Sequence, residues 1–306
     1  MDARTPGLHL RSRLLALGLT SDEVQRGRRA GDLVTIRRGA YLRADDERLS
    51  KPAARHAMLV RATVPTLAPD AVASHGSAAV LHGLAVWGLP LDCVHVTRAA
   101  ASGGRIGRVV HRHKAPLEAD EITTVDGIAV TTPARTVVDI ARSAAFEHAL
   151  VVADSGLAIR RVDPHDLAVA LARAARWPGI PQARRVVAFA DGGAMSVGET
   201  RSRLAIMRAG LPQPVLQWRV PLADDADAYT DFAWPAVRTV GEFDGLVKYG
   251  RLVPAGQTAG DVITAEKIRE DAIRSHGFTV VRWIWSELDD FAPVARRLER
   301  AFALGE

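Results

Sequence analysis

Tyr229-Thr-Asp-Phe-Ala-Trp-Pro-Ala-Val-Arg-Thr-Val-Gly-Glu-Phe-Asp-Gly-Leu-Val-Lys248 holds two short β-type runs, Tyr229 to Trp234 and Arg238 to Phe243, around a turn at Pro235-Ala236. Each run carries one acid in an apolar setting, Asp231 and Glu242. Side chains alternate faces along a strand, so Glu242 and Asp244 share a face, and an antiparallel pairing of the two runs brings Asp231 to it. Three carboxylates within a few ångströms of one another repel unless a cation sits among them, which predicts a divalent-metal site here. Acids inside apolar strands otherwise need a charged partner, and Arg282 in the later run Phe278 to Trp283 is the alternative one.

Outward from this stretch, punctuation sets the elements of a C-terminal module. Ser196-Val-Gly-Glu199 reads as a capping box, in which the serine oxygen takes a helix N–H and Glu199 reaches back to the serine N–H. The helix it opens runs to Ala209 and stops at Gly210-Leu-Pro212. A strand, Val215 to Val220, precedes the two acid-bearing runs. After a stretch rich in Gly and Pro from Gly250 to Gly260 come a helix from Val262 to His276, the strand Phe278 to Trp283 and a last helix capped by Ser286. The order is αβββαβα.

That order, with Asp231-Phe-Ala-Trp234, Glu242-x-Asp244-Gly245 and Gly277-Phe-x-Val-x-Arg282 in sequence, resembles the PD-(D/E)XK nuclease fold, and more narrowly the very-short-patch-repair-type endonuclease domains. The resemblance covers roughly Ser196 to Leu288. It implies that Asp231 and Glu242 are ligands for Mg²⁺ (or Mn²⁺), with Glu199 on the metal's outer side or as a further ligand. In such chemistry the metal lowers the pKa of a bound water and neutralises charge on the scissile phosphate. Asp244 stands where these nucleases often place a catalytic lysine. Lys248, just after the strand, is the preferred replacement, with Lys267 on the following helix the other candidate, and Asp244 itself as a further ligand if neither reaches the site.

At the other end of the chain, a helix (Ser12 to Leu17), a turn at Gly18-Leu-Thr20, a helix opened by Thr20 or Ser21, and two short strands around Arg38-Gly39 follow the winged helix-turn-helix pattern. Arg26, Arg28, Arg29, Arg37, Arg38 and Arg43 fall on the second helix and the wing, with Asp32 the one acid between the first and last of them, as a duplex-binding face requires. A solvated basic helix is the plainer reading of the same charges. In the middle of the chain, strands Cys93 to Arg98 and Arg108 to His113 are expected to form a hairpin around Gly103-Gly104. Its second strand and approaches carry Arg98, Arg105, Arg108, His111, Arg112, His113 and Lys114 without an acid, a second phosphate-contacting surface that includes Arg108 and Arg112. His111 and His113 share a strand face, but with no third ligand at a plausible spacing they read as part of a basic strand rather than a metal site. Asp139, on the helix that Thr132-Pro133 begins, lies near Arg135 and Arg142 and reads as their ion-pair partner.

Val34-Thr-Ile-Arg-Arg-Gly-Ala-Tyr-Leu42, Ala73-Ser-His-Gly-Ser-Ala-Ala-Val-Leu-His-Gly-Leu84 and Thr131-Thr-Pro-Ala-Arg-Thr-Val-Val-Asp-Ile-Ala141 are similar to the AbiEi family of antitoxins of type IV toxin–antitoxin systems, over about the first half of the chain. This implies an N-terminal winged helix that represses its own operon and a cognate toxin as partner.

The bulk properties agree with a DNA-directed protein of ordinary globular type. The chain has 306 residues, 48% of them hydrophobic and 25% charged, with a net charge of +5. No apolar run is long enough to span a bilayer, and arginines break the amino end, so a cytoplasmic protein without membrane association is expected. The single cysteine, Cys93, excludes an internal disulfide and a cysteine-based zinc site, and its neighbours predict a buried, inert thiol. The expected architecture is α+β and multidomain. It comprises a winged helix-turn-helix (1–48), an α+β AbiEi-like middle domain (49–178), a linker helix (179–195) and an α/β PD-(D/E)XK endonuclease-like domain (196–306). Two functions follow: a metal-dependent DNA endonuclease, or a non-catalytic antitoxin-type repressor with a degenerate nuclease fold. DNA is the partner in both, and a homodimer is compatible with either.

Overall fold

The computed structural model describes residues 6–99, 105–221, 227–245 and 259–305. The chain divides into two compact units, Met1–Ala190 and Asp191–Glu306. No helix among the described residues is long and apolar enough to cross a membrane.

The first unit begins with β1 (His9–Leu10), α1 (Arg11–Ala16), α2 (Ser21–Ala30), β2 (Leu33–Arg37) and β3 (Ala40–Arg43). The three strands pair antiparallel in the order β1-β3-β2. Thr20 starts α2 with a complete capping box: its hydroxyl takes the Glu23 N–H, and Glu23 takes the Thr20 N–H at 2.6 Å. Gly31 ends α2 at φ 86°, the left-handed conformation that glycine adopts without a Cβ clash. After α3 (Pro52–Thr63) come β4 (Val72–Ala73), α4 (His75–Leu81), β5 (Val94–Arg98), β6 (Arg105–Ile106), β7 (Val110–Lys114), β8 (Ile122–Val125) and β9 (Ile128–Thr131). These strands make one sheet in the order β6-β7-β5-β4-β9-β8.

Four helices follow: α5 (Pro133–Ser143), α6 (Phe146–Ala158), α7 (Pro164–Arg173) and α8 (Ile180–Phe189). Their apolar faces close on a core that includes Val137, Ile140, Val152, Leu167, Ala183 and Val186. The helix expected as a linker, α8, is therefore part of this core. The segments expected as a separate winged helix and middle domain likewise lie in one compact unit.

The second unit has the element order read from its punctuation: α9 (Val197–Arg208), β10 (Val215–Pro221), β11 (Asp227–Trp234), β12 (Thr239–Asp244), α10 (Ala259–Ser275), β13 (Thr279–Ile284) and α11 (Ala292–Gly305). The sheet order is β10-β11-β12-β13. The first three strands are antiparallel neighbours, and β13 runs parallel to β12, as the intervening α10 crossover requires. Gly241 is needed where it stands, because a Cβ there meets the Trp283 ring at 2.6 Å. Trp283 is fully buried and donates its indole N–H to Ser202 Oγ at 2.7 Å, which ties α9 to the sheet. The last helix starts at Ala292 rather than at the expected Ser286. Ser286 lies in a short 3-10 turn, and Asp290 Oδ1 takes the Ala292 N–H instead.

Candidate functional site

Pairing of Phe232 with Gly241 sets Asp231 opposite Glu242, as strand alternation predicts, and β13 places Arg282 beside Glu242 on the other side. The surroundings of these acids differ from those of a cation site. Glu242 is buried; its Oε1 lies 2.8 Å from Arg269 of α10 and its Oε2 lies 2.8 Å from Arg282. Arg282 also approaches Glu270 at 3.1 Å. Asp231 Oδ2 accepts the Phe243 N–H at 2.8 Å, replacing a backbone carbonyl where the β11–β12 ladder ends.

Glu199 is equally committed. Its Oε2 accepts the Met195 N–H at 2.8 Å and its Oε1 the Ser196 hydroxyl at 2.7 Å, so the cap reaches one residue further back than expected. Asp244 is half-buried at the end of β12, Lys267 is exposed on α10, and Lys248 lies outside the described residues. Among the described residues these acids do not gather into a group able to hold a metal. Magnesium requires carboxylate oxygens with lone pairs to give in octahedral geometry. Among the described residues these oxygens are engaged instead by two guanidinium groups, a backbone N–H and a helix cap. The charge partner of Glu242 is a pair of arginines.

On the N-terminal helices, Val24 is the buried anchor of α2, and Arg26, Arg28 and Arg29 lie exposed. Arg28 reaches the ribbon, donating to Thr35 Oγ1 at 3.2 Å, with its guanidinium 5.8 Å from the Tyr41 ring centroid. Arg37 is turned inward and donates to Ala62 O at the end of α3 (Nε to O, 3.0 Å), so it braces the ribbon instead of presenting charge outward. Arg43 forms an exposed two-point pair with Asp45, whose carboxyl this hydrogen bonding lowers below its ordinary range. Arg38 is exposed at the ribbon tip next to Gly39, whose φ is 80°.

The second basic surface has a different layout from the expected hairpin. β5 and β7 are parallel neighbours, because the connection between them carries β6, which takes the antiparallel place on the far side of β7. Arg108 is exposed and Arg112 half-buried. Parallel pairing sets His95 beside His111 and Thr97 beside His113. His75, the first residue of α4, completes a group with His95 and His113 whose ligand atoms all lie within 4.8 Å of one another.

Spacing gave His111 and His113 no third ligand; the fold instead brings His75 and His95 to His113 and leaves His111 outside the group. His95 Nδ1 lies 2.9 Å from His113 Nε2, and the His113 ring stacks on His75 at 3.7 Å and on His111 at 4.0 Å between centroids. Burial first, and the neighbouring imidazoles second, hold His95 at about 4 and His113 at about 2, and push His75 well below the ordinary histidine value. The rings are therefore neutral at pH 7 and add no charge to the strand. Cys93 is half-buried, its Sγ 3.6 Å from His95 Nε2, with burial raising its thiol pKa.

Asp139 is the ion-pair partner its spacing indicated. Arg135, almost fully buried, binds Asp139 at 2.8 Å and Glu121 at 3.0 Å, and Arg142 reaches Asp139 at 3.3 Å. The Trp177 ring lies 4.4 Å from the Arg135 guanidinium. This network fixes α5 against the sheet's approach and the α7–α8 turn.

Residues 71–188 match the family described as the AbiEi antitoxin C-terminal domain. Two proteins of Mycobacterium tuberculosis, the uncharacterized proteins MT2308 (strain CDC 1551 / Oshkosh) and Rv2248 (strain H37Rv), are each 28% identical over 284 residues, covering 90% of this chain and 96% of the relative. Among solved structures, the crystal structure of the RV2827C protein from Mycobacterium tuberculosis is similar with a TM-score of 0.39 and 14% identity, over 70% of this chain and 83% of that one. The family match begins at β4 and ends within α8, so the AbiEi-like part of the chain comprises the β4–β9 portion of the sheet and the helical core of the first unit.

Proposed function

We propose that this chain is a DNA-binding regulator of the antitoxin type, with α2 as the groove-entering helix and the β2–β3 ribbon as a wing. The observation that carries the reading is the display of Arg26, Arg29 and Arg38 on one N-terminal module, exposed and with no side-chain ion pair to the described residues. That module precedes, with α3 between them, the segment similar to the AbiEi antitoxin C-terminal domain. Arg28 and Arg37 serve as struts, since their contacts to Thr35 and Ala62 hold helix and ribbon at fixed spacing. The exposed Arg43–Asp45 pair is worth little on its own, which leaves Arg43 available to a phosphate. A duplex is then gripped through phosphate contacts from the arginines, while the polar N-terminal part of α2, including Ser21 and Gln25, faces base edges. A toxin encoded beside the chain is the partner that the AbiEi similarity supports.

The test is fluorescence anisotropy of the full chain on duplexes tiled across the region upstream of its own transcription unit, compared with shuffled duplexes. Preference for one upstream site on the order of 10³-fold is expected. Replacing Arg26, Arg29 and Arg38 by alanine should reduce the slope of log affinity against log salt by about 0.9 per lost phosphate contact. Equal binding to shuffled DNA, or an unchanged salt slope in the triple variant, overturns the reading. Asp231→Asn should leave operator binding as it is.

A further inference from the structure

We propose that His75, His95 and His113 bind one divalent transition-metal ion of the zinc class, whose fourth coordination position opens on the cavity beside them. Nothing in the DNA-binding reading depends on this site, and the site does not depend on that reading.

Three elements converge to make it. β5 supplies His95, its parallel neighbour β7 supplies His113, and the first residue of α4 supplies His75. Zinc–nitrogen bonds of 2.0–2.1 Å in a tetrahedron put ligand nitrogens roughly 3.3 Å apart. His95 Nδ1 and His113 Nε2, at 2.9 Å, are already near that spacing, and every ligand pair lies within 4.8 Å. Coordination closes the set by tilting His75 and His113 out of their 3.7 Å stack, so that their in-plane lone pairs converge on one ion.

The surroundings hold the rings as ligands are usually held. Metal-binding imidazoles use the second ring nitrogen for a hydrogen bond that fixes the tautomer. His75 Nδ1 lies 3.0 Å from Ser74 Oγ, which also accepts from Thr97 Oγ1 at 2.8 Å, leaving Nε2 of His75 as its ligand atom. His95 Nε2 lies 3.6 Å from Cys93 Sγ, so the hydrogen now shared between His95 and His113 can sit on that far nitrogen once Nδ1 coordinates.

Two further observations point to a ligand. His75 holds φ at 50°, a left-handed conformation that costs a non-glycine residue on the order of 1 kcal/mol and is found clustered at ligand-binding sites. The three rings also line a cavity of about 270 Å³ walled by Leu89, Pro90 and Ile140, which is large enough for water or a small anion at the fourth position. Among the described residues the lining includes no carboxylate, so an oxygen-seeking ion such as Mg²⁺ finds no ligand there, whereas three neutral imidazoles suit Zn²⁺, Co²⁺, Ni²⁺ or Cu²⁺. His111 stacks on His113 but lies outside the close group.

The experiment uses untagged full-length chain, stripped with chelator, titrated with Zn²⁺ by calorimetry and with Co²⁺ by visible absorption. One ion per chain and an intense Co²⁺ d–d spectrum of four- or five-coordinate type are expected. His113→Gln and His95→Gln should each weaken binding by on the order of 100-fold, while His165→Gln on exposed α7 leaves it unchanged. Circular dichroism checks that each variant is folded. If a variant does not fold, ring-nitrogen NMR shifts of the unsubstituted chain with and without Zn²⁺ decide, with the resonances of His75, His95 and His113 expected to move. Binding below one equivalent, a six-coordinate Co²⁺ spectrum, unaltered affinity in folded His113→Gln, or ring shifts confined to other histidines overturns the proposal.

Discussion

Each of the two units carries a row of titratable side chains on its sheet, and the two rows meet opposite electrostatic ends. In the second unit Asp231 and Glu242 face each other across β11 and β12, and Arg269 and Arg282 close on Glu242. In the first unit His75, His95, His111 and His113 crowd together, with no carboxylate among the described residues of the cavity they line. The difference comes from how each group escapes the cost of burial. A carboxylate inside a fold keeps its charge and must be given an opposite one, and an arginine with a rigid fork of donors is the side chain suited to give it. An imidazole sheds its proton and needs no counter-charge. The acids therefore end with their lone pairs engaged, and the histidines end with lone pairs to offer.

The largest effect should come from breaking the compensated row. Arg282→Met removes the guanidinium that lies 2.8 Å from Glu242 Oε2, with Arg269 at Oε1 staying as the described ion pair. A loss of about 3 kcal/mol in the urea stability of the second unit is expected, at the low end for a buried pair because the Arg282 side chain is 28% exposed. Adding Glu242→Gln to Arg282→Met should recover more than half of it, which a double-mutant cycle measures as coupling. Simple additivity would show that the arginines are not what holds the acid.

Somewhat smaller is the response of the two rows to metals. Zn²⁺ at 100 times its dissociation constant should stabilise the first unit by about 2.7 kcal/mol through mass action. Mg²⁺ should move the melting of neither unit, and supercoiled plasmid should stay uncut in its presence. A Mg²⁺-dependent rise in the stability of the second unit, abolished by Asp231→Asn, would reverse the assignment of the two rows.

Much of the second unit was legible in its sequence, because its elements are bounded by local signals: Gly210-Leu-Pro212, Gly277 and the Ser196–Glu199 cap each act within a few residues. The αβββαβα order and the facing of Asp231 and Glu242 follow from such signals and from strand alternation. Arg282 was recognisable as a charge partner because it lies in an apolar run, and Asp139 because Arg135 and Arg142 stand four residues before and three residues after it. The histidine group was not legible. Its members are separated by 20 and 18 positions, and their meeting depends on β5 and β7 running parallel, which a glycine-rich connection between two short strands does not announce. Read as an antiparallel hairpin, the same residues leave His111 and His113 without their partners. The inward turn of Arg37 was hidden for a similar reason, since its acceptor, Ala62 O, is 25 residues away.

The smallest effect tests the premise that the first unit keeps its histidines neutral, at a position away from the cluster. His82 is buried on α4's C-terminal end, and its Nε2 lies 2.7 Å from Thr131 O, to which it donates. Burial lowers its pKa first of all, the Thr131 carbonyl opposes that, and the nearby Arg161 charge adds to it. The folded pKa therefore lies below the unfolded value of about 6.5. Between those two values the unfolded chain binds a proton that the folded chain does not, so His82 contributes full stability above about pH 6.5 and loses it as the pH falls. Each such proton steepens the dependence of unfolding free energy on pH by at most about 1.4 kcal/mol per pH unit. His82→Gln keeps a donor for Thr131 and removes the titration, so the stability of the first unit between pH 7 and 5 should fall less steeply than in the unsubstituted chain, by up to that slope. Urea titrations at a series of pH values read the difference. An equal slope in both proteins would mean that the ring takes up its proton equally in the folded and unfolded chain, and that burial does not lower the His82 pKa.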